Sequence, residues 1–289
     1  MDVACSATDD KHTWLYSDLL NTIGAVRFEK NQLKKARVAF QEVRVIREEL
    51  LEPDDLRYAM ILANIGNIDS AEGNLDEAED LFEKSARIRE QHGESQMLML
   101  GLSLLQLGRV CFLRGDTYSA IKRYDMAESC FVRMGNDQVF MAHLHYARGN
   151  LEFERRDLAQ ACSQYEKARD ACHSIGPVHP LAAATYYKLG CVEIARGKKH
   201  YDRALNYFGK AFDVADTRSP GEVDGTIARI MWKKSEVLID DPIRRSEGLE
   251  LRRQMLVALS DIAAELGLTL DPDLSEEQKF DMLLPGYFR

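Results

Sequence analysis

The feature that most constrains this chain is a five-fold repetition at a nearly fixed step. Glycines stand at Gly24, Gly66, Gly108, Gly149 and Gly190, spaced by 42, 42, 41 and 41 residues. Each is followed by an alanine: Ala36, Ala78, Ala120, Ala161 and Ala204. Four residues beyond each alanine stands an aromatic: Phe40, Phe82, Tyr124, Tyr165 and Phe208. A further small or branched residue follows at Val43, Ser85, Ala127, Ala168 and Ala211. Self-similarity at such a period predicts a solenoid, in which each unit buries its apolar face against its neighbours.

The stretch from Ala63 to Ile88 shows what one unit is. It reads as two amphipathic helices joined by the tight polar turn Gly73-Asn74. Small residues at Gly66, Ala78 and Ser85 let one helix lie close to the next, and Phe82 fills the space beside them. Four of the seven prolines, Pro53, Pro177, Pro180 and Pro220, fall in the joints between units. That placement supports the same frame, because proline is poorly tolerated inside a helix.

The Leu107-Gly108, Gly115, Ala120, Tyr124, Ala127 set and the Leu189-Gly190, Gly197, Ala204, Phe208, Ala211 set resemble the tetratricopeptide repeat (TPR) family. The common TPR is about 34 residues long. The step of about 42 adds roughly one helical turn to each helix, at 3.6 residues per turn. Long repeats of this kind resemble the kinesin-light-chain type and the sensor regions of some nucleotide-binding receptor proteins. The linker Gly176-Pro177-Val178-His179-Pro180 is similar to the kinesin-light-chain inter-repeat segment. The resemblance implies an all-α, right-handed superhelical solenoid of TPR helix-turn-helix repeats with a C-terminal capping helix.

The expected organisation is an N-terminal tail and helix start over 1–16, with Met1 to Lys11 as a mobile tail, and then six repeats over 17–267. Their bounds are 17–55, 56–96, 97–138, 139–180, 181–224 and a degenerate 225–267, in which Ser235 replaces the glycine and Gly248 the alanine. The turn after Gly197 is expected to be enlarged near Lys198-Lys199. Residues 268–289 form a tail with a short helix opening at Ser275-Glu276-Glu277. Its apolar end, Pro285-Gly286-Tyr287-Phe288-Arg289, suggests docking, either as a lid on the last repeat or across the groove.

In TPR arrays the first (A) helices line a concave groove. The resemblance places Asn67, Arg109, Phe112, His143, Tyr146, Asn150, Phe153, Tyr187 and, in the last repeat, Arg229 and Trp232 on it, with Lys188 nearby. Rigid rings give contact area at small entropic cost. Asn67 and Asn150 can each both donate to and accept from a peptide backbone. Arg109, Lys188 and Arg229 can meet carboxylates. The expected partner is a protein or peptide segment, acidic with aromatic or leucine anchors. Tyr146→Ala with Asn150→Ala is expected to abolish capture and leave helicity intact. The alternative is that the rings pack on neighbouring helices or on the chain's own tail. The Lys and Asn set with which chaperone-binding TPRs clamp a terminal carboxylate is matched here only at Asn64, so that chemistry is not expected.

No phosphate loop, Gly-x-Ser-x-Gly, His-Glu-x-x-His or dinucleotide fingerprint is present in the sequence. His143 and His145 would point about 200° apart on a helix and cannot chelate one metal from one face. Cys172-His173 is adjacent in sequence, which rarely gives nucleophile–base geometry. The expectation is therefore a non-enzyme without cofactor or metal, acting as a scaffold, an adaptor or the sensing arm of a larger assembly. A second class remains: a small-molecule binder or unusual enzyme using Tyr146, His143, Tyr187 and Cys191. A third is self-association through an end repeat. The net charge of −9 argues against nucleic acid, whose affinity rests on basic contacts. No apolar run is expected to reach the roughly 20 residues that span a bilayer. The six cysteines show no Cys-x-x-Cys pair and read as reduced thiols of a cytoplasmic protein.

Overall fold

The computed structural model describes residues 2–176 and 178–288, with the side chains of 2–12 and of Tyr287 outside that description. Of the expected mobile tail, Met1 lies outside the described residues, as does Pro177 of the linker, and the backbone of residues 2–11 is helical. Among the described residues the fold is all-α. Its helices are α1 (Asp2–Glu29), α2 (Leu33–Leu50), α3 (Leu56–Glu72), α4 (Leu75–Gln91), α5 (Met97–Leu113), α6 (Thr117–Arg133) and α7 (Gln138–Glu154). They continue with α8 (Leu158–Ile175), α9 (Pro180–Ala195), α10 (Tyr201–Arg218), α11 (Gly225–Asp240), α12 (Arg245–Leu266) and the short α13 (Glu276–Asp281). Residues Lys198–His200 form a short 3-10 turn, which enlarges the α9–α10 connection.

Local chemistry explains where the helices begin and end. Aspartates before α3, α7, α8 and α11 accept backbone N–H bonds from the first turn: Asp55 from Arg57, Asp137 from Val139, Asp157 from Gln160 and Asp224 from Ile227. Each satisfies donors that a helix start leaves without a partner. At α9 the cap is His179, whose Nδ1 accepts from Leu181 N–H, with Pro180 opening the helix. Gly73 ends α3 in the left-handed region at φ 87°, where a side chain would be strained.

The chain forms two compact units, one of residues 2–130 with 285–287, the other of residues 131–284 with 288. In the first, α1 packs on α2, α2 on α3, α3 on α4 and α4 on α5. Its core includes Phe28, Phe40, Val43, Ile61, Leu62, Ile65, Ile68 and Ile88. In the second, α7 packs on α8, α8 on α9, α9 on α10, α10 on α11 and α11 on α12. A cluster at its end joins Ala228, Trp232, Met255, Leu259 and Ala263 to Phe280 and Leu283 from the C-terminal segment.

The repeated glycine is a contact with the repeated aromatic. A Cβ built at Gly24, Gly66, Gly108, Gly149 or Gly190 would lie 2.6, 3.0, 2.5, 2.5 or 2.5 Å from the ring of Phe40, Phe82, Tyr124, Tyr165 or Phe208. All five rings are almost wholly buried. Each A helix thus lies directly on the ring that its own B helix supplies. The last repeat inverts the arrangement. Gly248 on α12 sits where a Cβ would meet the Ile239 backbone nitrogen at 2.7 Å, and buried Ser235 donates to the Trp232 carbonyl at 2.6 Å.

One expectation is corrected. Residues 93–113 are long and apolar enough, by length and composition alone, to cross a membrane. They comprise a short turn and α5. Gly101, Ser103, Leu104, Leu105, Leu107, Gly108, Val110 and Cys111 of α5 are buried against the first unit. The stretch is apolar because an interior A helix meets neighbours on most of its surface.

Candidate functional site

The A-helix side chains singled out by the repeat frame have different fates in the two units. In the first unit they form amide pairs. Asn64 Nδ2 donates to Asn21 Oδ1 at 3.0 Å, and Gln106 Nε2 donates to Asn67 Oδ1 at 2.8 Å. Asn67 is therefore engaged by a neighbouring A helix. Arg109 donates to the carbonyl of Gly286 at 3.0 Å, and a Cβ at Gly286 would lie 2.9 Å from Ala71 Cβ. Phe112 is part-buried on the same helix.

In the second unit the corresponding face is aromatic and cationic. Tyr146 on α7, Tyr187 on α9 and Trp232 on α11 are all buried. The Arg229 guanidinium lies 4.1 Å over the Tyr187 ring centroid, a cation–π geometry that suits a desolvated arginine. Tyr146 donates its hydroxyl proton to the Phe288 carbonyl at 2.9 Å, and Arg229 Nη2 donates to the same oxygen at 3.1 Å. Arg229 Nη1 donates to Asp281 Oδ1 at 2.8 Å. Lys233 Nζ pairs with Glu277 at 3.0 Å and with Glu236 at 2.9 Å. Trp232 stacks on Phe280 with ring centroids 5.2 Å apart and donates its indole N–H to Glu276 at 3.3 Å.

The tail helix thus completes the core of the last helix pair through Phe280, and the residues after it reach the A-helix face. Burial pulls the Arg229 and Lys233 acidities toward the neutral form. The opposing charge of Asp281 on the one, and of Glu277 and Glu236 on the other, outweighs it, so both cations are held above their ordinary range.

Other candidates face inward or sideways. Asn150 accepts from the buried Tyr165 hydroxyl at 2.7 Å, which ties α7 to α8. That bond corrects the expectation about alanine at 146 and 150: Asn150→Ala would strip a buried hydroxyl of its acceptor, and Tyr146→Ala would open a hole, so the pair tests the fold before the groove. His143 meets the His179 ring edge-on at 6.2 Å. Phe153 and Lys188 are part-buried. Burial holds the Tyr187 phenol well above its ordinary range and raises the Cys191 thiol, which favours the protonated form of both. Cys172 is pushed up to about 12 for the same reason.

Two surface hollows lie elsewhere. One, of about 330 Å³ in the first unit, contains Glu79, Arg114 and Arg123; the other, of about 440 Å³ in the second, contains Glu193, Arg196 and Cys162. Their charges are spent on each other. Arg114 pairs with Asp76 and Glu79, and Glu193 pairs with Arg196 at 2.6 Å and His200 at 2.9 Å. Among the described residues no group of three His, Cys, Asp or Glu side chains is placed to hold a metal ion.

Sequence reading missed two features. Arg47 and Arg89 are buried, 42 residues apart, and each donates to a carbonyl in the first turn of the next A helix: Arg47 to Arg57 at 3.0 Å and Arg89 to Met99 at 2.7 Å. Their common step was a readable signal. The Asp281 and Phe288 partners of Arg229 were not readable, since nothing local links positions 52 and 59 residues apart.

No curated protein matches the chain closely enough to count as a relative. Solved structures match in fold. The Rap conjugation gene regulator of plasmid pLS20, in complex with the Phr* peptide, superposes with a TM-score of 0.70 at 14% identity, covering 98% of this chain and 75% of that one. The apo form of RapI gives 0.59 at 14% identity, covering 86% and 87%. BtubC (BKLC) from P. vanneervenii gives 0.55 at 16% identity, covering 76% and 88%. A tetratricopeptide repeat model matches residues 15–91 and 140–229, and a second tetratricopeptide repeat model matches 108–133. With more than half of its length matched and the glycine–aromatic contact repeated in five helix pairs, the chain belongs to the tetratricopeptide repeat family.

Proposed function

We propose that this protein is a non-catalytic binding scaffold of the cytoplasm that holds a peptide segment of a partner protein against its A helices. One observation carries the reading: in the second unit, Tyr146 and Arg229 both donate to a single main-chain carbonyl, that of Phe288. A face that already holds polypeptide by its backbone has the donors for peptide capture. The Rap regulator bound to the Phr* peptide, similar in fold, supports it. Burial raises the Cys172 and Cys191 thiols, which disfavours the nucleophilic thiolate at both and fits a non-catalytic role. Adaptor and sensing-arm roles both follow from such a face, with the output supplied by the partner.

The test is to pan a displayed peptide library on the intact chain and measure affinities of the enriched peptides. Measured on the chain carrying Phe280→Ala and Asp281→Ala, so that its own tail competes weakly, Tyr146→Phe removes one donor from a backbone bond, worth about 0.5–1.5 kcal/mol, and affinity should fall roughly two- to ten-fold. Enriched peptides that ignore Tyr146→Phe and Arg229→Lys alike would remove the groove as the site.

A further inference from the structure

We infer that the partner segment carries an acid–x–x–aromatic–acid–x–Leu–Leu pattern, and that it binds by exchanging with the chain's own residues 276–288. The inference rests on the proposed peptide-binding role and names the partner's chemistry and the regulation of that site.

The resident segment shows what the face accepts. Glu277 meets Lys233, Phe280 covers Trp232, Asp281 meets Arg229, and Leu283 and Leu284 are buried. The segment arrives partly organised, because Ser275 and Gln278 cap each other across its first turn. Leu283 passes so close to α11 that a Cβ on Gly225 would lie 2.6 Å from its carbonyl oxygen.

Burial of the charges is unequal. Side-chain exposure is 1% for Arg229 and 10% for Lys233, but 29% for Asp281 and 46% for Glu277. The cations are built into the scaffold and the carboxylates lie at the water's edge. A buried cation that loses its carboxylate is strongly unfavourable. A segment that covers these cations without supplying carboxylates is therefore disfavoured, and the face selects an acidic segment as the replacement. The ring before the second acid is fixed by its stacking on Trp232, and the leucine pair after it by the burial of Leu283 and Leu284. A neutral or basic peptide would leave Arg229 and Lys233 without these carboxylates.

The test uses the full chain and a fluorescent peptide of residues 274–289. The chain carrying Phe280→Ala and Asp281→Ala has a weakened tail and unchanged A helices. It should bind the peptide at least ten-fold more tightly than the parent chain does. A peptide with the same two changes should bind it at least ten-fold more weakly, and adding Gly225→Ala to the chain should abolish binding. Circular dichroism checks the fold, and the milder Glu277→Ala with Asp281→Ala chain replaces the first should that one unfold. Equal affinity for parent and weakened-tail chains, or for both peptides, would overturn the inference. So would a concentration-dependent dimer that binds no added peptide, which would give the face to a second copy's tail. Library panning on the same chain separates the two readings: enriched peptides lacking the acidic–aromatic–leucine pattern would refute this inference and leave groove binding standing, whereas no enrichment would refute both.

Discussion

Two glycine substitutions, nineteen residues apart, should move stability in opposite directions. Gly190 on α9 faces Phe208; a Cβ there would lie 2.5 Å from Cε1, 2.9 Å from Cδ1 and 2.9 Å from Cζ. Phe208 is fully buried, and its ring sits 5.9 Å from that of Tyr187, so it has no free space to retreat into. Overpacking of this sort costs about 1–3 kcal/mol. Alanine returns about 0.5–1 kcal/mol of helix propensity. The balance for Gly190→Ala is a loss of roughly 1–2 kcal/mol, or about 2–8 °C in midpoint for a unit of this size. Gly209 also lies inside a helix, α10, but a Cβ there meets nothing within 4 Å. Gly209→Ala keeps only the propensity gain and should raise the midpoint by about 1–4 °C. Thermal melts followed by far-ultraviolet circular dichroism, with reversibility checked by rescanning, measure both. The Cβ distance of 3.0 Å at Gly66 predicts a smaller loss there than at Gly190. A Gly190→Ala chain as stable as its parent would refute the close-packing account of the repeat signature, and so would equal losses at 190 and 209.

Three further outcomes follow from the hydrogen bonds. Asn150→Ala removes the acceptor of the buried Tyr165 hydroxyl and should cost about 1–3 kcal/mol in urea unfolding, and Asn150→Ala with Tyr165→Phe should recover part of it. Arg47→Ala removes the guanidinium donor to the Ser17 hydroxyl, the Arg57 carbonyl and the Asp18 carboxylate and deletes a buried aliphatic stem; a loss of about 2–4 kcal/mol is expected, with Arg47→Met milder. Burial, then the charge of Arg218, holds His179 below its ordinary range, so the folded chain binds fewer protons there than the unfolded chain. That contribution is complete above the unfolded value near 6.5 and is lost as pH falls through and below it. Unfolding midpoints should drop between pH 7 and 5.5 more in the parent than in His179→Asn, which keeps a capping acceptor that does not titrate; parallel curves would refute the assignment.

How much of this was legible in the sequence depends on the range of the interaction. The glycine, alanine and aromatic of each unit lie within one helical hairpin, so five copies of one local contact print one period. The fold follows from that period alone. The A-helix positions were legible for the same reason, but what each side chain does was not. Asn150 looks free in the repeat frame because the hydroxyl it serves comes from the other helix of its hairpin. Asn67 looks free because its partner, Gln106, sits a whole repeat away. Arg47 and Arg89 shared the period, yet a charged residue on a B helix reads as surface until the next A helix is seen to cover it. The tail's docking has no periodic trace, since Tyr146 and Phe288 are 142 residues apart. Even so, the segment expected as a partner, acidic with aromatic and leucine anchors, is the chemistry the tail itself carries.

A tethered occupant changes what affinity means at this face. A segment joined to its site by a short linker competes at an effective concentration on the order of millimolar. A free peptide making the same contacts and present at micromolar concentration is outcompeted about a thousand-fold. To displace the tail it needs roughly 4 kcal/mol of additional binding energy, at about 1.4 kcal/mol per factor of ten. Leucines and one ring are already buried by the tail, so that surplus has to come from contacts the tail does not make. The part-buried Phe153 and Lys188 offer apolar area and a cation, and among the described residues the tail's bonds to the A helices go elsewhere, to Arg109, Tyr146, Arg229, Trp232 and Lys233. Phe153→Ala and Lys188→Ala should therefore weaken partner binding while leaving the tail, and the chain's thermal midpoint, nearly unchanged. Loss of stability in those variants equal to their loss of affinity would place both residues under the tail and remove the surplus.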